Sequence, residues 1–242
     1  MTGDDLDKKN AKSAPSDGTV GSDRADKADD AVLERVQRAV LADLRPVSAL
    51  ASSGMLTLIL MFFFAAAGSA VAWYLGLGGF EALQTYQRAL IFPALAIESW
   101  LAALACARGM LPASGMRPGP VALIFSMAAL PLVFLMALHN YSTQDFVAEG
   151  VPCLLLGLRV SIPTGLGLVL ILRRGFVLDW SSAGFAAGAL SGLAGVVMLE
   201  LHCPNPKVVH SMVWHVAVVV VSAVLGFVLG MIADRVRIRA TV

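Results

Sequence analysis

The chain has 242 residues, of which 57% are hydrophobic and 14% are charged, and its mean hydropathy is +0.76. A soluble domain carries about 25% charged residues, so this composition excludes an ordinary water-soluble enzyme. Residues 1–49 hold 18 of the 35 charged residues, which predicts a polar tail joined to a polytopic membrane domain. The formal net charge of +1 argues against direct nucleic-acid binding, and three cysteines exclude a disulfide scaffold.

The tail divides into two parts. Residues 1–28 are built mainly from Asp, Lys, Ser, Ala and Gly, and they bury too little apolar surface to offset chain entropy, so we expect a disordered head. Residues 29–46 carry apolar side chains at helical spacing and end at Pro46, which predicts an amphipathic helix. Its apolar face consists of Val32, Leu33, Val36, Val40, Leu41 and Leu44.

This amphipathic face fits either the groove of a protein partner or a lipid surface. The polar face mixes Glu34 and Asp43 with Arg35 and Arg38. Anionic lipid prefers a uniformly basic polar face. The mixed charges therefore favour a protein partner.

The remainder of the chain predicts an all-α integral membrane domain over residues 47–235, a bundle of six helices, followed by a basic tail at 236–242. A membrane-spanning helix needs about 20 apolar residues, and six runs approach that length: 51–75, 89–108, 120–138, 153–172, 183–201 and 212–233. Arginines cluster at alternate ends of these runs, and the loop between the third and fourth runs has no Lys or Arg. By the positive-inside rule, both termini are expected in the cytoplasm.

Small residues recur in the last two runs. Gly184, Gly188 and Gly192 repeat every four residues in the fifth run, and Gly226 and Gly230 do so in the sixth. Such spacing lets helix backbones approach closely. We expect tight static packing rather than a hinge.

Three ionisable residues fall inside the predicted spans: Glu98, Arg159 and Glu200. A charge in hydrocarbon is costly unless it is paired, so we expect Arg159 to pair with Glu98 or Glu200 and to serve stability. The alternative is a small polytopic transporter that uses the same three groups.

The cysteines give a second candidate site. The predicted topology places Cys153 and Cys203 at the outer face, where two thiols can form a disulfide or bind a soft metal ion. The neighbouring imidazoles available to complete a metal site are His202, His210 and His215. A membrane thiol oxidoreductase is a further alternative, although the cysteines are not in a CxxC pair. Cys106 is expected to be an apolar filler.

Several local patterns occur together in this chain: LADLRPV at 41–47, Pro118-Gly119, Cys153, Arg173-Arg174-Gly175, LHC at 201–203, Trp214-His215 and a basic C-terminal tail. In this order and spacing they resemble the NrsF family (negative regulator of sigma F), six-span membrane anti-sigma factors of proteobacteria. The resemblance covers about residues 29–239.

The resemblance implies a non-enzymatic regulator of transcription at the bacterial inner membrane. Its N-terminal cytoplasmic helix would hold an extracytoplasmic-function (ECF) sigma factor and release it in a stress response. The implied signal is a periplasmic heavy-metal ion or oxidant, sensed near Cys153 and Cys203. The resemblance implies no cofactor other than a heavy-metal ion at these cysteines.

Overall fold

The computed structural model describes residues 32–39, 41, 52–111, 120–175 and 177–240, and it divides the chain into two units, Met1–Ala49 and Leu50–Val242. In the first unit residues 32–39 are helical, in agreement with the expected amphipathic helix. The side chains of Val32, Leu33, Val36 and Leu41 are exposed. The head at 1–28 and two residues of the apolar face, Val40 and Leu44, lie outside the described residues.

The second unit consists of helices. In chain order they are α1 (Ser53–Leu75), α2 (Gly78–Ala82), α3 (Thr85–Gly109), α4 (Pro120–Met127), α5 (Leu130–Ala137), α6 (Phe146–Leu172), α7 (Trp180–His202), α8 (Val208–His210), a π-helical turn at Ser211–His215, and α9 (Val216–Ala240). The described part of this unit contains no β-strand, which confirms the all-α class.

Five described helices are long and apolar enough to cross a membrane: Ser53–Leu75, Thr85–Gly109, Phe146–Leu172, Trp180–His202 and the continuous run Val208–Arg237. The third predicted span is instead divided between α4 and α5. Pro131 has no N–H to donate to the carbonyl of Met127, and its ring crowds that carbonyl, so the helix is interrupted at this point. A sixth span therefore remains a prediction.

Helix α7 is the centre of the unit, because α1, α3, α6 and α9 all pack against it. Nearly every side chain of α7 from Ala183 to Glu200 is buried. The longest of these contacts is with α9. There a Cβ atom added to Gly184 would overlap the carbonyl of Gly226, and one added to Gly188 would lie 2.9 Å from the Cα of Ala223. The expected close packing through small residues is confirmed.

Polar groups join α7 and α9 at the end where α7 begins. The Asp234 carboxylate accepts hydrogen bonds from the backbone N–H groups of Trp180 (3.2 Å) and Ser181 (3.1 Å). The side chain of Arg237 donates to the carbonyl of Val177 at 3.0 Å. The bonds to Asp234 satisfy backbone donors that a helix N-terminus leaves without partners, and with the Arg237 bond they join the start of α7 and the residues before it to α9.

Candidate metal site

Four side chains meet at the opposite end of the bundle, where α6 and α9 begin and α7 ends. They are Cys153, Cys203, His210 and His215, and each offers a sulfur or nitrogen atom within 4.8 Å of the others. We call this group the thiol–imidazole cluster. Both histidines are about 1% exposed, and both cysteines are partly buried. The ligand types suit a soft or borderline divalent cation such as zinc or cadmium.

The two thiols come from α6 and from the end of α7. Cys153 lies in the second turn of α6, and Cys203 immediately follows the last residue of α7. Their sulfur atoms are 3.5 Å apart, and both are free thiols. A disulfide has an S–S length of about 2.05 Å, so the pair is adjacent but not bonded. The topology inferred from sequence had placed these two residues at the same end of the bundle.

A π-helical turn places the two histidines side by side. In a regular α-helix, residues five apart lie about 140° apart around the axis, so His210 and His215 would point in different directions. Here the backbone N–H of Val216 donates to the carbonyl of Ser211, five residues earlier, which is the π pattern. The imidazole rings are consequently 5.2 Å apart and nearly perpendicular.

A buried carboxylate fixes the orientation of His215. The Glu200 side chain, on the last full turn of α7, lies with Oε1 2.5 Å from His215 Nδ1, and its residue is only 4% exposed. A carboxylate accepts hydrogen bonds, so Nδ1 is the protonated nitrogen. Nε2 of His215 then faces the cluster and has no hydrogen-bond partner.

The Cys203 thiol contacts both neighbours in the cluster. Its sulfur lies 3.8 Å from Nε2 of His210 as well as 3.5 Å from the sulfur of Cys153. The hydrogen bond with Cys153 and the burial of the thiol raise the pKa of Cys203 above its ordinary value. This thiol therefore keeps its proton at neutral pH.

Polar contacts hold α6 against the loop that carries Cys203. The Nζ of Lys207 lies 2.7 Å from Oε2 of Glu149, and the Asn205 amide donates to the same oxygen at 2.7 Å. The next residue, Gly150, leaves space for the ring of Trp214, which a Cβ atom at that position would overlap. Glu149 precedes Cys153 by about one helical turn, so these contacts keep the two thiols close together without a metal ion.

The cluster borders a small cleft at the surface of the bundle. Its lining includes the side chains of Leu83, Glu200, Cys203, Asn205 and Ser211. Of the four cluster residues, only Cys203 belongs to this lining.

Two candidate residues take no part in the cluster. His202, a predicted metal ligand, lies with Nδ1 3.3 Å from the carbonyl of Gly76 and is absent from the set of converging ligand atoms. Cys106 is fully buried in the hydrophobic core, as expected of an apolar filler.

The predicted pairing of Arg159 with Glu98 or Glu200 is wrong. Among the described residues no ion pair includes Arg159, whose side chain is exposed, and Glu200 contacts His215 instead. Arg159 lies on a face of α6 whose other exposed residues are Val147, Val151, Leu155, Ile162, Leu166 and Leu170. That face points away from α7, because the buried residues Gly157 and Val160 lie on the other side of α6 and Gly157 faces α7.

The other predicted partner, Glu98, is buried in α3, and its Oε2 atom has no hydrogen-bond partner.

Sequence reasoning missed the role of Glu200 and the π-helical turn. One signal was available: Glu200 and His215 are the ionisable residues inside two consecutive apolar runs, 183–201 and 212–233, each near the end that faces the other run. The spacing of five between His210 and His215 conceals their proximity, because it is not a spacing that α-helical periodicity places on one face.

The fold and the cluster define a polytopic helical membrane protein with a buried thiol–imidazole site and a separate N-terminal helical segment. The family model NrsF, negative regulator of sigma F, matches residues 41–235, and the chain belongs to this family. Comparison with curated proteins and with solved structures finds no significant match. Family membership makes the chain an anti-sigma factor, a transcription regulator whose partner is a sigma factor.

Proposed function

We propose that the protein is an inner-membrane anti-sigma factor with both termini in the cytoplasm. Its N-terminal helix holds an ECF sigma factor, and the thiol–imidazole cluster faces the periplasm. A heavy-metal ion or an oxidant that reacts with Cys153 and Cys203 causes release. The observation that carries this proposal is the pairing of two free thiols at one end of the bundle in a family that regulates a sigma factor.

The exposed apolar face of the N-terminal helix supports the capture step. Leu33 is 65% exposed and Val36 is 55% exposed, whereas side chains of this type are usually covered. The polar side of the same helix carries an ion pair between Arg38 and Glu34, with 3.3 Å between Nη2 and Oε2 and both side chains in solvent. An apolar stripe opposite a solvated polar side is the pattern of a helix that binds in a hydrophobic groove.

Val36→Asp tests the capture step. Binding would bury an unpaired carboxylate, and the loss of an interface residue of this kind costs about 2 kcal/mol or more, or roughly 30-fold in Kd. The assay is co-purification of full-length protein in detergent with each alternative sigma factor of the same organism. Arg38→Ala is the matched control, because it also lowers the net charge by one unit. Normal retention of the sigma factor by Val36→Asp would refute the assignment.

Two reactions at the thiols support the release step. A divalent cation displaces both thiol protons and bridges the sulfurs, whereas hydrogen peroxide oxidises the two thiols to a disulfide and is reduced to two waters. Disulfide formation shortens the 3.5 Å separation of the two sulfurs to about 2.05 Å, and a bridging cation fixes that separation. We infer that the starts of α6 and α9 and the end of α7 shift together, and that this change in the membrane unit lowers the affinity of the N-terminal helix for the sigma factor.

Serine variants test the release step. In cells, Cys153→Ser and Cys203→Ser are each expected to abolish induction of sigma-dependent transcription by cadmium or peroxide while the membrane protein accumulates normally. Cys106→Ser is the control, because its side chain is buried in the core away from the cluster. Full induction in both single variants would show that these thiols are not the sensor.

The transporter alternative loses its basis. It required Glu98, Arg159 and Glu200 to act as one polar pathway. Glu200 is instead bonded to His215, and Arg159 lies on an exposed face of α6.

A further inference from the structure

We propose that Cys153, Cys203, His210 and His215 form a single four-coordinate site for a soft divalent cation of the zinc or cadmium type, with Glu200 as the residue that positions His215. The inference rests on the proposed function, since the same two thiols serve both. It goes further by assigning ligand roles to the two imidazoles and a positioning role to the carboxylate, which a sensor based on the thiol pair alone would not need.

The donor spacing is close to that of a tetrahedral site. Zinc binds sulfur at about 2.3 Å and imidazole nitrogen at about 2.0–2.1 Å, so donors in a tetrahedron lie about 3.3–3.8 Å apart. Cys153 and Cys203 already meet this distance at 3.5 Å, and Cys203 and His210 at 3.8 Å. The widest separation, 4.8 Å or less, has to close by about 1 Å for four-coordinate binding.

Buried nitrogen atoms without partners point independently to a ligand. Nε2 of His215 and Nδ1 of His210 are both inaccessible to solvent and make no hydrogen bond. Buried polar atoms in folded proteins are almost always satisfied. A metal ion bonded to Nε2 of His215 would satisfy the first of these atoms, and that atom belongs to the ring that Glu200 holds.

The bond between Glu200 and His215 is that of an outer-shell residue to a metal ligand. Histidine ligands commonly donate the other ring N–H to a carboxylate, which fixes the tautomer and ring orientation and raises the basicity of the ligand nitrogen. Oε1 of Glu200 lies 2.5 Å from Nδ1 of His215. Glu200 itself contributes no ligand atom to the converging set, so its role is positioning.

The π-helical turn supplies the second imidazole. Because it places His210 beside His215 with ring centroids 5.2 Å apart, one short segment contributes two donors. The thiols come from two other helices. The site therefore joins α6, the end of α7 and the start of α9, the three elements that the proposed release step must move.

The binding reaction balances without a redox step. Two thiols, two neutral imidazoles and one divalent cation give a complex with two thiolates and two imidazoles, and two protons leave to water. The two positive charges of the cation cancel the two negative charges of the thiolates, and the Glu200 carboxylate keeps its hydrogen bond from Nδ1 of His215. A disulfide would consume the same thiols, so the metal-bound and oxidised forms exclude each other.

Cadmium titration of the reduced full-length protein in detergent tests the site. The ultraviolet cadmium–thiolate absorption band is expected to saturate at one ion per chain, and competition with a chelator gives the affinity. His210→Gln and His215→Gln should each weaken binding by at least about 10-fold, and Glu200→Gln by about 10- to 100-fold. The matched control is His202→Gln, which alters a histidine adjacent to Cys203 that lies outside the cluster.

A measurement on the unmodified protein covers the case in which a variant does not fold. X-ray absorption at the zinc edge of the zinc-loaded protein should show two sulfur and two imidazole ligands. Cadmium affinity unchanged in the folded histidine and Glu200 variants, or a zinc shell without imidazole, would overturn this site and leave a thiol-pair sensor intact. Conversely, a confirmed site with full induction in the cysteine-to-serine variants would overturn the proposed function and leave the site standing.

Discussion

Gly188→Ala should destabilise the membrane unit through the contact between α7 and α9. The added Cβ would lie 2.9 Å from the Cα of Ala223 and would overlap the carbonyl of Ser222. Ordinary contacts of a Cβ begin near 3.4 Å, so the helices must separate by at least about 0.5 Å at this point. The obstructing atoms belong to backbone, which no rotamer change can move. Overpacking of this kind costs about 1–3 kcal/mol in the free energy of unfolding.

The assay is unfolding of the detergent-solubilised protein by increasing SDS, followed by far-ultraviolet circular dichroism. Gly54→Ala in α1 is the matched control, because a Cβ there meets nothing within 4 Å. Its effect should stay within about 0.5 kcal/mol. If Gly188→Ala and Gly54→Ala unfold at the same SDS fraction, the close approach of α7 and α9 does not contribute to stability and the reasoning fails.

Three further outcomes follow from described contacts. Asp234→Asn should lower the free energy of unfolding by about 1 kcal/mol in the same assay, because it weakens the bonds that cap the start of α7. Gly150→Ala should displace the ring of Trp214 and so move Cys153 relative to Cys203. The measured quantity is the rate of oxidant-induced crosslinking between these two cysteines, which should fall; an unchanged rate would contradict the prediction. In native micelles a maleimide should label Cys153 and Cys203 but not the fully buried Cys106, and saturating cadmium should block that labelling.

Hydropathy predicted where most helices lie but not how each is rotated about its axis. Five of the six apolar runs correspond to long helices. The helix of the fourth run begins at Phe146, whereas hydropathy placed its start at residue 153. Its first turns carry Glu149 and Gly150 and are less apolar, so the hydropathy criterion did not include them. The third was predicted as continuous and is broken at Pro131, since run length alone does not register a missing backbone donor.

The candidate site was predictable to the extent that it depends on topology. Cys153 and Cys203 had to lie at the same end once the spans were ordered, and their sulfurs are indeed in contact. The partner of Glu200 could not be obtained in this way, because it depends on which side of α7 faces α9. The π-helical turn shifts His215 away from the position that α-helical spacing would give it. The same lack of rotational information led to the wrong partner for Arg159.

The central claim is that chemistry at the thiol–imidazole cluster controls release of the sigma factor from the N-terminal helix. The most direct test is the amount of labelled sigma factor retained by the full-length protein in detergent before and after addition of cadmium. The account predicts at least a 10-fold loss of retained sigma factor, roughly 1.4 kcal/mol, for the unmodified protein and no loss for the Cys153→Ser/Cys203→Ser double variant. Undiminished retention by the unmodified protein, or equal release by the double variant, would contradict it.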